Sequence, residues 1–199
     1  MQGANLREAH LRWATLDRVR ASHASFVNAD ARKANLAVAD LRAADLSFAL
    51  LEDAILSQAK LGGATLYGAN LKHAQLTRAE LDRADLRDAN LEGAVLILAN
   101  LHEADLTSTK LSGAHLANAE LRGTILLDSD LRHADFHGAV LQGAVLREAA
   151  IEGANIDAAD LRGALGLTSA QVCSTVNWRS AQLDEALLRE VESRCGNSR

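Results

Sequence analysis

The sequence predicts an all-β solenoid, a chain that bends at short regular intervals into stacked coils. Three observations predict it. A five-residue period runs from Ala4 to Leu161 without a slip. That period fits neither a helix nor a flat strand. The 199-residue chain also contains no proline, the residue that would remove donors from a hydrogen-bonded ladder.

Every fifth residue from Leu6 to Leu161 is leucine except Ala21, Phe26, Ala31, Phe136, Ile151 and Ile156. Two residues before each of them stands alanine, replaced only by Val19, Thr109, Thr124 and Ser129. On an α-helix a step of five residues rotates about 500°, so successive leucines drift about 140° and no apolar face forms. In a continuous strand an odd period sends them to alternate sides. A short extended piece with alanine in, the next residue out and leucine in, followed by a two-residue corner, restores the register. Repeating that corner makes a coil, and coils stacked about 4.8 Å apart pair as parallel strands do. Phe26 between Ala21 and Ala31 fits the same interior, one large centre flanked by two small ones at similar total volume.

The units, as in ADLRDANLEGA (residues 84–94), resemble those of the pentapeptide-repeat family, and the resemblance covers residues 1 to about 165. It implies a right-handed quadrilateral β-helix with four units per coil. Thirty-two units, counted from Leu6 to Leu161 in steps of five, would then give about eight coils, a tower of roughly 38 Å. The expected division is a β-helix over residues 1–165 and a small α-helical cap over 166–199. In the cap, Thr168 and Gln171 form a capping-box signal. A second helix is expected from Ser180, its stripe of Leu183, Leu187, Leu188 and Val191 closing the tower near Trp178. The other end starts within the repeat, leaving Leu6, Leu11 and Leu16 and a ladder edge open, which suggests a homodimer through the first coil.

Bulk properties narrow the function. A net charge of -5 argues against direct nucleic-acid binding and gives no attraction to an anionic membrane. No stretch is long and apolar enough to span a bilayer and the N-terminus does not read as a signal peptide, so a cytoplasmic location is expected. Cys173 and Cys195 do not read as a disulfide framework.

With four units per coil, residues twenty apart stack, and the tower has four outer faces. The run Val95–Leu98, unusual in a chain that seldom places large apolar residues together, then splits: Leu96 points in, while Val95, Ile97 and Leu98 point out. They share a face with Asn35, Ala37, Val38, Ile55, Ser57, Gln58, Gln75, Thr77, Arg78, His115, Ala117 and Asn118, and Arg78 alone among these fifteen is charged. Eight are charged on the matching coils of the preceding face, from Asp30 to Gly113. An uncharged, partly aliphatic face is the best candidate for docking an unknown protein partner, with Ile55, Arg78, Val95, Ile97 and Leu98 as contact residues.

Some members of the family protect topoisomerases by resembling DNA. The most acidic column, Asp45, Asp85, Asp88, Asp105, Asp128 and Glu148, would carry that role here. Duplex DNA has one charge per about 1.7 Å, so a close imitation over this length needs about twenty net negative charges, and the chain has five. For chemistry, His133, Asp135 and His137 stand at alternate positions, with His115 and Asp157 one coil away, but a corner separates His133 from Asp135. No metal site, cofactor or catalytic residue is expected. The reading is a non-enzymatic interaction or structural module, with a DNA-mimicking gyrase-binding protein as the alternative.

Overall fold

The computed structural model describes residues 1–196. A single β-bridge marks each side of the coil, and each pairs in parallel with the residue twenty positions on: Asn5 with Ser25, His10 with Asp30, Thr15 with Asn35, Arg20 with Asp40, and onward to Val145 with Leu165. Four such bridges per twenty residues make four short sides. The regular alanine and leucine positions fill the shaft, and both Ala94 and Leu96 are 0% exposed. Leu6, Leu11 and Leu16 of the first coil are only half-buried.

Hydrogen bonding explains why five residues suffice for a side and a corner. Taking Leu36–Val38 as the unit, the Leu36 N–H donates to Ile55 in the next coil and the Val38 N–H to Ser57, while Asn35 donates back to Ala14. The corner closes when the Ala39 N–H donates to the Leu36 carbonyl at 3.1 Å. Its third residue is left-handed in every repeat, for example Val38 at φ 59 and Gly113 at φ 66, as in type II turns. Where alanine is replaced inside, the hydroxyl is paired: Thr109 donates to the Leu86 carbonyl, Thr124 to Leu101 and Ser129 to Leu126. The buried polar cost is thereby met.

The cap departs from expectation in two ways. Helix α1 (Ser169–Ser174) has the expected capping box at Thr168 and Gln171. The Gln171 side chain also donates to the Ala149 carbonyl at 2.9 Å, covering part of the open ladder. Helix α2 does not start at Ser180 but runs Glu185–Cys195. The intervening chain continues the ladder instead, with Val176 bridging Asn155 and Gln182 bridging Asp160, so Ser180 falls in a 3-10 turn (Trp178–Ser180) and Leu183 precedes the helix. Pairing outcompetes the helix signal there. Val172, Trp178, Leu183 and Val191 are buried, and Leu187 and Leu188 pack beside them.

The cysteines do form a bridge, Cys173 to Cys195, joining α1 to α2. Two isolated cysteines carry no spacing signal, and their proximity arises only once the cap folds. The bridge closes a loop with a sequence separation of 22, a constraint of about 3 kcal/mol in the chain-entropy account.

The corner geometry separates two costs of replacing glycine. At Gly113 an added Cβ meets nothing within 4 Å, whereas at Gly166, φ 77, it lies 2.9 Å from the Arg147 Cα. Gly113→Ala is therefore expected to cost about 1 kcal/mol, from the left-handed φ alone. Gly166→Ala is expected to cost at least twice as much, because the Arg147 main chain is held by its ladder bond from Asp128. Urea denaturation of the two variants checks this, and equal losses would contradict it.

Candidate interaction faces

Because registers repeat every twenty residues, the outer side chains form four faces, named here by their first bridge residue: first (Asn5), second (His10), third (Thr15) and fourth (Arg20). The second and fourth each carry six bases and six acids. Pairs run down their columns, Lys33 to Asp53 at 4.0 Å, Lys72 to Glu92 at 2.9 Å and Arg83 to Glu103 at 2.8 Å. On the first face Glu8, Asp45, Asp85, Asp88, Asp105, Asp128 and Glu148 face only Arg7, Arg87 and Arg147. Most of the chain's net charge of -5 thus sits on one side.

The outward Asn and Asp residues have a local task. The N–H of the residue after each leucine has no ladder partner, and the side chain two residues earlier accepts it: Asn35 takes the Ala37 N–H at 3.0 Å, Asp105 that of Thr107 at 3.0 Å and Asn90 that of Glu92 at 3.0 Å. This is an Asx turn. Where arginine follows, as at Asp30–Arg32, Asp40–Arg42 and Asp160–Arg162, the guanidinium adds two bonds in a fork. Hydrogen bonding by the guanidinium, outweighing the opposing desolvation, holds the carboxyls of Asp30, Asp40 and Asp160 at about 2.

The third face differs. It has no fork, and from Asn35 to Asn118 its only charge is Arg78. Val38, Ile55 and Leu98 are 40%, 41% and 46% exposed, Val95 and Ile97 half-buried, and Arg78 exposed without an ion pair among the described residues. Its middle row, Ala37, Ser57, Thr77, Ile97 and Ala117, is small apart from Ile97, so the five expected contact residues share one surface. Sequence reasoning missed an aromatic cluster on the first face: Phe48 meets Tyr67 edge-on at 5.3 Å, and Arg87 stacks on Tyr67 at 5.7 Å. Their separation of nearly one coil was the available signal.

The histidines and carboxylates singled out in the sequence are spread along the ladder. His133 lies against Gly153, Asp135 accepts from the His137 N–H and from Asn155, and His137 Nδ1 lies 3.0 Å from Asp157. Among the described residues no three metal-ligating groups converge. Ser180 also bonds Asp157, but the carboxylate stands between hydroxyl and imidazole, so the imidazole does not reach the hydroxyl as it does in a nucleophilic triad. An apolar cavity of ≈ 20 Å³ between Leu131, Phe136, Leu146 and Val172 is about the size of one water. No helix among the described residues is long and apolar enough to cross a membrane.

The family description "Pentapeptide repeats" matches in eight copies, over residues 1–30, 22–58, 59–97, 99–138 and 129–165. The chain belongs to the pentapeptide-repeat family. Family and register together give the expected right-handed quadrilateral β-helix. HetL, a pentapeptide-repeat protein involved in heterocyst differentiation regulation from the cyanobacterium Nostoc, is 29% identical over 91% of this chain and 87% of its own, with a TM-score of 0.42. A trypsin-treated form of QnrB1, a plasmid-mediated fluoroquinolone resistance protein, is 19% identical over 98% of this chain and 96% of its own, with a TM-score of 0.53. No curated protein matches the sequence.

The forks make a pH prediction. A carboxyl held below its ordinary value stabilises the fold above about pH 4 and loses that contribution as pH falls through about 2. The triple variant Asp30→Asn, Asp40→Asn, Asp160→Asn keeps the Asx acceptors but loses the charged forks. Its urea midpoint is expected below that of the unaltered chain at pH 5, with the gap closing toward pH 2. A gap independent of pH would refute the assignment.

Proposed function

We propose that this protein is a non-enzymatic interaction module that docks a protein partner on its third face, through Ile55, Arg78, Val95, Ile97 and Leu98. One observation carries the reading: fifteen outward positions over five coils hold a single charge, and on the same coils the flanking second and fourth faces hold eight and nine. A face without ladders of ion pairs can be desolvated at low cost, and aliphatic groups exposed by 40% or more gain from being covered. Ile97→Lys with Leu98→Lys, both on corners, is expected to leave the fold intact and abolish partner capture from the native host. Capture should also change little with salt, because so few charges take part. Undiminished capture by the double variant would refute the reading.

A second reading rests on the first face, whose acids exceed its bases by four over the ladder from Asn5 to Leu165. A topoisomerase ligand imitating DNA would use it, but the excess is well below the roughly twenty charges that duplex DNA carries over this length. A gyrase supercoiling assay separates the two: protection or inhibition that weakens with salt supports the first face, and no effect removes it.

A further inference from the structure

Every Asn or Asp at a bridge position accepts the N–H two residues on, but four successive coils of the third face lack that residue. Ile55, Gln75, Val95 and His115 stand there instead. The N–H groups of Ser57, Thr77, Ile97 and Ala117 consequently have no acceptor among the described residues, whereas Ala37 above them and His137 below are served by Asn35 and Asp135. The first face leaves three in succession at its lower end, those of Leu127, Arg147 and Leu167, and the second and fourth faces leave at most two. At ladder spacing the four donors form a column with steps of about 4.8 Å. Beside them stands Arg78, exposed and unpaired, with no acid among the fifteen positions of the patch.

We propose that the partner docked on this face presents an acidic, aliphatic peptide segment. Its carboxylate pairs with Arg78 and the neighbouring Thr77 and Ile97 N–H groups, and its aliphatic side chains cover Ile55, Val95 and Leu98. The inference rests on the third-face reading and adds the partner's chemistry. A column of unmatched N–H groups beside one cation, with no carboxylate on the patch to compete, favours acceptors, and a carboxylate makes stronger bonds to such donors than a neutral carbonyl. A free anion would use one or two donors and none of the aliphatic area. A basic segment would meet Arg78 with no counter-charge and leave the donors unmatched.

Random peptides of about twelve residues, displayed and selected on the full chain, provide the probe. Selected peptides are expected to carry Asp or Glu beside aliphatic residues. They should bind at least about tenfold more weakly to Arg78→Gln, and likewise to Gln75→Asn with Val95→Asn, which supplies the missing acceptors from the repeat's own consensus and should not destabilise the fold. In the free protein, the Ser57, Thr77, Ile97 and Ala117 amides are expected to exchange with solvent faster than those of Ala37 and His137. Basic peptides, no enrichment, unchanged affinity in both variants, or equal amide protection would each overturn the proposal. If Ile97→Lys with Leu98→Lys abolishes peptide binding while the asparagine and glutamine variants do not, the face survives as the docking surface and the acceptor chemistry falls.

Discussion

Each side of this solenoid is a single bridge long, and that constraint governs everything else. One bridge cannot hold a strand, so each residue of the unit must be satisfied by the coil above, the coil below or its own corner. The Leu36 and Val38 N–H groups go down, that of Asn35 goes up and that of Ala39 goes back. Only one N–H per unit is left over, and the outward Asn or Asp takes it. The consensus A-(N/D)-L-x-x is therefore a complete hydrogen-bond account written in five letters, with alanine small enough to let the corner close against the shaft.

The same account explains how the chain tolerates so much left-handed backbone. Bulky residues such as Trp13, Phe48 and the β-branched Val38 occupy the third corner position at φ 63, 57 and 59. Each costs free energy that a lone turn could not hold. Here every corner is clamped by its own closing bond, and each interior corner by ladder bonds to both neighbouring coils, so strain is distributed over a structure whose coils stabilise one another.

What was legible in the sequence follows from period. Leu96 inside and Ile97 outside, the twenty-residue register and the poverty of charge around Ile55, Arg78, Val95 and Leu98 are all consequences of a repeat that never slips. The cap was less legible because it mixes two physical rules. Thr168 and Gln171 act locally and were readable, but the start of α2 is set by Gln182 pairing with Asp160, a contact over 22 residues that no helix signal contains. The Cys173–Cys195 bridge is hidden for the same reason. The free N–H column needed the bonds themselves, since only they show what the Asn and Asp residues are for.

Departures from the repeat can then be weighed by what they forgo. Replacing Ala by Thr109 or Thr124 loses nothing, because the hydroxyl finds a carbonyl. Replacing the Asx residue by Ile55 or Val95 gives up a hydrogen bond worth about 1 kcal/mol and leaves an aliphatic group in water. A repeat that keeps its Asx residues at Asn35, Asp135 and Asn155 on the same face has the better residue available, yet lacks it in four adjoining coils. Sequence and structure disagree locally where something other than folding sets the residue, and the disagreement here is concentrated on the face with the least charge to repel a partner.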